Sequence, residues 1–366
     1  DLAGSIWGTA FPNINTASGI IENGAAAGID DALLAEAYFF RGFDYFLLVQ
    51  TYGGVPLDLG AGELKFNTST VRTSVRNTVP EVYAAIFADL EKALADLPEN
   101  PRMTGTVTKN VARLYLAKAY LTYAWWLENP NNIPTYPECS RNAGEAQSYF
   151  KKAYDMAKQA IANPGPYGLQ PTFYDVNAAE QDRNKEIMLY ADHDEDEKYG
   201  NGGVGYGWGS GGSPENFAYW METWNYTEMT AKAASGAVIN PVQREAVQGL
   251  GRPWTRMAPV ADAFMAGGVW EDEVKAIDSR YDATFTLSYF TNWNKAGGTE
   301  PYVIGANGMQ VKPDEAYFTW VPESEDANIN YTGADGKLGF GELPGRADFV
   351  VAVNHISRKK YPCNWK

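Results

Sequence analysis

Cysteine and histidine are scarce in this chain of 366 residues, which has two of each. The cysteines, Cys139 and Cys363, lie far apart and form no CxxC motif, so we predict two unrelated thiols rather than a disulfide framework. The histidines, His193 and His355, occur in no recognisable catalytic context, and neither HExxH nor GxSxG is present. The sequence therefore indicates no enzyme of the motif-bearing classes.

Long apolar runs and basic residues are also missing. No stretch of about 18 apolar residues exists, so we expect no membrane-spanning helix. Thirty Lys and Arg stand against 45 Asp and Glu, and the resulting net charge of −15 argues against nucleic acid as a partner. The acidic run 192–197 is a calcium candidate, but its spacing is not that of an EF-hand and a solvated turn fits better. We therefore predict no cofactor, with calcium as the alternative.

The first half of the chain carries strong helix signals. Apolar residues recur at steps of four in Val82, Ile86 and Leu90, and alanines repeat along the segment near 144–162. Helices are predicted at 7–21, 32–51, 80–97, 108–128 and 144–162. Small residues between helices allow close approach, and the arrangement resembles stacked pairs of the tetratricopeptide type.

The predicted helix at 32–51 is apolar almost all round, which is typical of a helix inside a core. Its Arg41 lies between Glu36 and Asp44 in sequence. A buried Arg needs charged or polar partners, so we predict an ion network among these three side chains.

After residue 163 the helix signals thin out, and glycine, proline and aromatic residues dominate. A strand is predicted at 284–290 from its alternating apolar residues. No linker separates two independent domains. We therefore predict one domain at 1–366, mainly α, with a helical scaffold at 1–163 and a large, irregular, loop-rich part bearing short strands at 164–366 that faces the ligand.

Aromatic residues in loop-like sequence form the best candidate site. Large rings on loops stack on the CH faces of sugars, while nearby polar groups hydrogen-bond the hydroxyls. Taken singly, each ring fits a core position better than a ligand platform, but we expect at least one of the set to contact ligand. The candidate ligand-binding residues are Trp208, Trp220, Trp224, Tyr226, Trp254, Asn225 and Arg252.

The segments 35–46 (AEAYFFRGFDYF) and 50–57 (QTYGGVPL) resemble the signature helix and turn of the SusD/RagB family. The Trp-led segment 7–21 and the helices at 82–98 and 104–123 are similar to other family elements in the same order. Later segments at 251–264 and 278–281 continue the pattern. The resemblance covers most of the chain.

The resemblance implies a cell-surface protein of the bacterial outer membrane, held by an N-terminal lipid anchor that this chain does not include. Such proteins capture oligosaccharide or polysaccharide without catalysis and deliver it to a SusC-like TonB-dependent transporter. A late helix pair of the family is missing after Lys366, so we expect the chain to be incomplete at its C-terminus. Two alternatives remain: a helical, Trp-rich glycoside hydrolase, and a peptide-binding member of the same family.

Overall fold

The computed structural model describes residues 2–70, 73–130, 139–190, 222–245, 247–253, 257–260, 285–331, 339–357 and 359–364. The chain divides into two compact units, one of 1–169 with 183–203 and the other of 170–182 with 204–366. The boundary lies close to the predicted change of character at 163. That the two parts form one domain stays a prediction.

The first unit is built from helices that pack in chain order. The bounds are α1 Leu2–Asn23, α2 Asp31–Tyr52, α3 Val79–Asp96, α4 Lys109–Glu128 and α5 Ala143–Ala162. Each of these helices contacts the next one along the chain. The helix-rich fold predicted from periodicity is confirmed, and the main difference is that α1 begins earlier than expected.

Polar side chains fix where these helices begin. Asp30 accepts a hydrogen bond from the N–H of Leu33 at 2.8 Å, and Thr78 forms a reciprocal capping box with Glu81. Thr108 caps α4 by accepting from the N–H of Val111. Each cap gives a partner to an N–H group that has no acceptor within its own helix. These local signals are why the predicted helix starts are close to the observed ones.

Arg41 is buried in α2, but its charged partner is not one of those predicted. Its Nε and Nη2 donate to the two carboxylate oxygens of Asp89 in α3, at 2.7 and 2.8 Å. Its Nη1 donates to Ser18 and to the carbonyl of Leu64. The guanidinium is therefore satisfied by groups from three other parts of the chain.

The predicted network of Arg41 with Glu36 and Asp44 is wrong. Five residues of α-helix place Glu36 about 140° around the axis from Arg41, so the two cannot meet. Glu36 instead pairs with Arg102, with Nε and Oε1 2.7 Å apart. Asp44 is hydrogen-bonded by the Asn13 side chain, and burial raises its pKa to about 6.

The prediction that α2 lies wholly in a core is also only partly right. Most of its residues are buried, but Leu33, Phe40 and Leu47 are 38%, 43% and 36% exposed. These residues are seven apart, so they form one row along the helix. The row remains open while α1 and α3 pack on other faces of α2.

In its described residues, the second unit combines short strands, 3-10 turns and one short helix, α6 Phe173–Asn177. The strands are β1 Ala231–Ala233, β2 Val238–Ile239, β3 Phe285–Thr286, β4 Ser288–Phe290, β5 Val303–Ile304, β6 Gln310–Val311, β7 Ala316–Val321, β8 Phe349–Ala352 and β9 Cys363–Asn364. The 3-10 turns are Ala179–Gln181, Tyr226–Glu228, Gln248–Leu250, Ala306–Gly308, Glu323–Asn328 and Val353–His355. The strand predicted at 284–290 is confirmed as β3 and β4.

Three small sheets organise these strands. The order is β2-β1-β5-β6 in an antiparallel sheet, β3-β9 in a second, and β4-β7-β8 in a third, where β7 and β8 run parallel. A core of rings fills this unit, including Trp224, Tyr226, Tyr289, Phe318 and Phe340. Because the strands are so short, this aromatic core supplies much of the buried surface that holds them.

Candidate functional site

Two of the rings predicted to bind ligand, Trp224 and Tyr226, are completely buried. The indole N–H of Trp224 donates to the hydroxyl of Tyr289 at 2.8 Å, and the Tyr226 hydroxyl donates to the carbonyl of Leu250 at 2.7 Å. A ring with no exposed face cannot stack on a sugar. The assignment of these two rings to a ligand surface is therefore wrong, and both belong to the core of the second unit.

The two polar candidates next to them are half-buried. The Asn225 amide donates to Glu228 at 3.0 Å and its oxygen accepts from Thr227 at 2.6 Å, so this side chain stabilises its own 3-10 turn. Arg252 lies beside the buried Gly251, and partial burial, with Arg244 nearby, lowers the pKa of its guanidinium. Their roles in ligand binding stay predictions.

The remaining ring candidates, Trp208, Trp220 and Trp254, lie outside the described residues and stay predictions. The calcium candidate at 192–197 lies outside them as well. Within the described ranges, no group of three or more His, Cys, Asp or Glu side chains is placed to hold a metal ion. Cys139 and Cys363 are not joined in a disulfide.

Three cavities in the first unit offer concave surfaces. The first, here called the α1 groove, has a volume of about 500 Å³ and is lined by Trp7, Phe11, Pro12, Asn15, Thr16, Pro56, Leu59, Asn67 and Ser74. Two of its polar residues bond to each other: Asn15 donates to the carbonyl of Asn67 at 2.9 Å, and the Asn67 N–H donates back to Asn15 at 2.8 Å. The α1 groove is therefore chiefly apolar, with Trp7 half-exposed.

The second, here called the α2 cavity, has a volume of about 350 Å³ and lies where the end of α2 meets α3 and α4. The polar side chains of Gln50, Thr51 and Thr122 each bond to the backbone of their own helix. The indole N–H of Trp126 has no hydrogen-bond partner among the described residues. The α2 cavity thus offers one donor and few other polar groups.

The third cavity, here called the basic pocket, combines rings with charged and polar groups. Its volume is about 410 Å³. It is lined by Pro101, Arg102, Met103, Thr104, Gly105, Pro166, Tyr167, Arg183, Asn184, Lys185, Ile187, Met188 and Tyr190. A cavity of this size with a few convergent polar groups is what small-ligand sites have in common. We therefore take the basic pocket as the candidate site.

Backbone hydrogen bonds shape the segment 183–190 that forms one side of the basic pocket. The N–H of Gly168 donates to the carbonyl of Lys185 at 3.1 Å, which joins this segment to the residues after α5. The N–H of Ile187 donates to the carbonyl of Asn184 at 3.0 Å and closes a turn. Arg183, which precedes the turn, has a φ of 58°, a conformation that is uncommon outside glycine.

The two tyrosines of the basic pocket are held by packing. The Tyr190 ring lies against Gly105, where a Cβ atom would come within 3.1 Å of it, so no larger residue fits there without a shift. The Tyr167 hydroxyl lies 3.1 Å from the Thr108 hydroxyl, and burial raises the pKa of Tyr167. The Tyr190 hydroxyl is buried and has no hydrogen-bond partner within the described part of the chain.

Cations line the basic pocket, and no Asp or Glu is among its described lining residues. Arg102 is neutralised by a bidentate pair with Glu36, at 2.7 and 2.9 Å. The Arg183 guanidinium carbon lies 5.8 Å from the centre of the Tyr190 ring, and the exposed Lys185 extends over Gly168. The described lining contains no pair of carboxylates of the kind that hydrolyses a glycosidic bond.

The basic pocket was missed by sequence reasoning, although a signal was present. The segment 175–228 holds 12 acidic and three basic residues, and two of those three, Arg183 and Lys185, line the basic pocket. These two basic residues interrupt the acidic stretch at the segment that lines the basic pocket. The rings in loop-like sequence are a more conspicuous signal, but two of them belong to a core.

Comparison with known proteins agrees with the helical part of the fold. Residues 12–121 match the SusD-like family described as "Starch-binding associating with outer membrane". A SusD-like protein P2 of Formosa agariphila is 32% identical over 126 residues, which are 33% of this chain and 24% of that protein. The chain thus spans about a quarter of the curated relative that it matches.

Solved structures show a likeness in fold. A SusD superfamily protein of Bacteroides fragilis has a TM-score of 0.50 at 18% identity, over 84% of this chain and 53% of that one. A structure described as solved with xylogluco-oligosaccharide has a TM-score of 0.46 at 17% identity, over 82% of this chain and 51% of that one. The second likeness is too low to carry its ligand over.

Among the described residues, no helix is long and apolar enough to cross a membrane. The family resemblance rests on the same helices that the structure confirms, from the middle of α1 to the last turns of α4. The resemblance predicted from the sequence is therefore confirmed over residues 12–121, the segment that matches the SusD-like family.

Proposed function

We propose that the chain belongs to a non-catalytic protein that binds oligosaccharide or polysaccharide at the cell surface. The observation that carries this proposal is the match of residues 12–121 to a family described by starch binding and by association with the outer membrane. Delivery of the glycan to a SusC-like TonB-dependent transporter, and attachment by an N-terminal lipid anchor, are parts of the proposal that rest on the resemblance alone.

The basic pocket supports the binding part of this proposal. Tyr167 and Tyr190 supply rings, and Asn184 and Lys185 supply polar side chains, in the lining of the same cavity. Sugars are bound by this combination, since their CH faces pack on rings while their hydroxyls need polar partners. The α1 groove and the α2 cavity have fewer polar groups available for that purpose.

Titration calorimetry of the whole chain with a panel of neutral and acidic oligosaccharides tests the proposal. We expect at least one glycan to bind, and we expect Tyr190→Ala to weaken it several-fold because the variant removes one of the two rings that line the basic pocket. Tyr154→Ala is the matched control, since Tyr154 is 65% exposed on α5. If no glycan binds, or if both variants behave alike, the site or the function is wrong.

The same panel separates the alternatives. A glycoside hydrolase would release reducing ends from a bound glycan, which a reducing-sugar assay measures. A peptide-binding protein would bind none of the glycans. Among the described surfaces, the apolar α1 groove with its partly exposed Trp7 suits a peptide best. Trp220→Ala and Trp254→Ala in the same titrations test the loop rings that remain predicted from the sequence.

A further inference from the structure

We propose that the α1 groove is a second binding site, which takes an uncharged, proline-rich segment of a partner protein in the polyproline II conformation. This inference concerns a different cavity from the basic pocket, so it goes beyond the proposed glycan binding and does not depend on it. The observation that carries it is the combination of accessible apolar rings, hydrogen-bond donors and an absence of charge in the described lining of the groove.

The charge of the α1 groove is the first step. Asp, Glu, Lys and Arg make up 20% of the chain, yet none of them is in the described lining of this cavity. An acidic occupant would be repelled by the net charge of −15, and a basic occupant would find no carboxylate in that lining. The occupant that complements this surface is therefore uncharged.

The rings of the α1 groove are held in place and remain accessible. Trp7 and Phe11 lie about one turn apart on α1, with ring centroids 4.7 Å apart, and the Tyr52 ring meets Trp7 edge-on at 5.1 Å. Trp7 is nevertheless 39% exposed, so a ligand can reach its side chain. Pro56 and Leu59, from the segment after α2, add to the apolar lining. Aromatic-lined grooves of this kind are what proline-rich ligands dock into.

Most polar side chains of the α1 groove are already hydrogen-bonded within the chain. Asn15 and Asn67 bond to each other, and the Asn67 side chain also bonds to two further backbone groups. The Thr16 hydroxyl donates to a carbonyl of its own helix. A sugar or an ordinary extended peptide brings many O–H or N–H donors, and these would find few acceptors among the side chains of this lining.

Two donors of the α1 groove differ from these polar groups. The indole N–H of Trp7 and the hydroxyl of Ser74 make no hydrogen bond to a described residue, and both side chains are exposed. A proline-rich segment complements them, because prolines have carbonyl acceptors but no N–H donors. Its polyproline II conformation exists before binding, so little conformational entropy is lost on docking. A groove of about 500 Å³ has room for about one turn of it, three residues long.

Fluorescence anisotropy with labelled peptides tests this inference on the whole chain. The probes are an uncharged peptide of about ten prolines and a matched peptide in which alanine replaces every proline. We expect the proline peptide to bind at least about tenfold more tightly than the alanine peptide. Its affinity should stay the same between about 50 and 500 mM salt, because no charge pair contributes to binding.

Three variants show whether the proline peptide binds in the α1 groove. Trp7→Ala removes the exposed ring and should weaken binding at least about tenfold. Trp7→Phe keeps a ring without the N–H, and Ser74→Ala removes the hydroxyl, so each should weaken binding about threefold. The matched control is Trp125→Ala, which removes a 56% exposed indole from α4 and should leave the affinity unchanged.

The outcomes separate this inference from the proposed function. If neither peptide binds, if the alanine peptide binds as tightly, or if Trp125→Ala loses as much affinity as Trp7→Ala, the inference is wrong and glycan binding is unaffected. A glycan that displaces the proline peptide would show that the α1 groove binds sugar instead. If the proline peptide binds as expected and no glycan of the panel does, the inference holds and the proposed function is wrong. If Trp7→Ala does not fold, Trp7→Phe and Ser74→Ala decide.

Discussion

The buried pair of Arg41 and Asp89 should be the most sensitive polar contact of the helical unit. Arg41 is 5% exposed and Asp89 is 3% exposed. The change Asp89→Ala leaves the guanidinium with Ser18 and the carbonyl of Leu64 as its remaining described partners. Removing one partner of a buried ion pair typically destabilises a protein by about 3–5 kcal/mol, because the other charge stays buried. We expect Asp89→Ala to fall in that range.

A double variant shows whether this loss comes from the stranded charge. Arg41→Met with Asp89→Leu replaces both charges by apolar side chains of comparable length. Buried pairs replaced in this way are often neutral in stability or even more stable. We expect the double variant to recover at least about 2 kcal/mol relative to Asp89→Ala alone.

Urea unfolding followed by far-ultraviolet circular dichroism is the assay, since the helices of the first unit dominate that signal. The control is Asp155→Ala, which breaks the pair of Lys151 with Asp155 at 2.6 Å on the surface of α5, both side chains being substantially exposed. That change should leave the midpoint where it is, because exposed pairs contribute little. A double variant as unstable as Asp89→Ala would refute the reasoning, since the loss would then come from packing rather than from charge.

Three further predictions concern buried groups. Burial raises the pKa of Asp44 from its ordinary value of 3.8 to about 6, so ionisation of this carboxyl above pH 3.8 destabilises the fold. Asp44→Asn should therefore stabilise the chain at neutral pH by on the order of 2–3 kcal/mol and have no effect below pH 3.8. Urea titrations at both pH values measure this, and an equal effect at the two would contradict it. Trp224→Ala should destabilise the second unit by about 3–5 kcal/mol, because it removes a buried ring. A variant with an unchanged melting temperature and a lower glycan affinity would show instead that Trp224 binds ligand. Burial lowers the pKa of Lys360 from its ordinary value of 10.5 to about 8, so the folded state loses this proton at a lower pH than the unfolded state does. The free energy of unfolding should therefore increase between about pH 8 and pH 10.5. Lys360→Met should flatten that increase in thermal melts, and an unchanged slope would count against the prediction.

The helices could be predicted because their signals are local. The Thr78 cap, Glu81 and the apolar residues that follow lie within one short segment, and the structure joins them as expected. The partner of Arg41 could not be predicted in this way. Asp89 is 48 residues away, and the pairing depends on how α2 packs against α3. Sequence shows that a buried Arg needs a carboxylate, but the choice of carboxylate is made by tertiary packing.

The strands of the second unit are hard to predict for a related reason. β3 has two residues and pairs with β9, which lies far along the chain, so that Thr286 is opposite Cys363. Two residues carry too little alternation to mark a strand. Their pairing is made by closing a long loop, and the surrounding rings supply the burial that offsets the entropy of closure.

Rings alone cannot separate a core from a ligand surface, and the charged residues discriminate better here. The loop-like sequence around Trp224 favours a role in ligand binding. In the structure, however, Trp224 packs in a hydrophobic core together with rings from the short strands. A buried ring and a ligand-binding ring need the same residue type, so composition favours neither. Exposed cations are different, because a core excludes them unless they are paired. Lys185 lies in an acidic stretch and is exposed in the lining of the basic pocket, so it stands beside solvent, where a ligand can reach it.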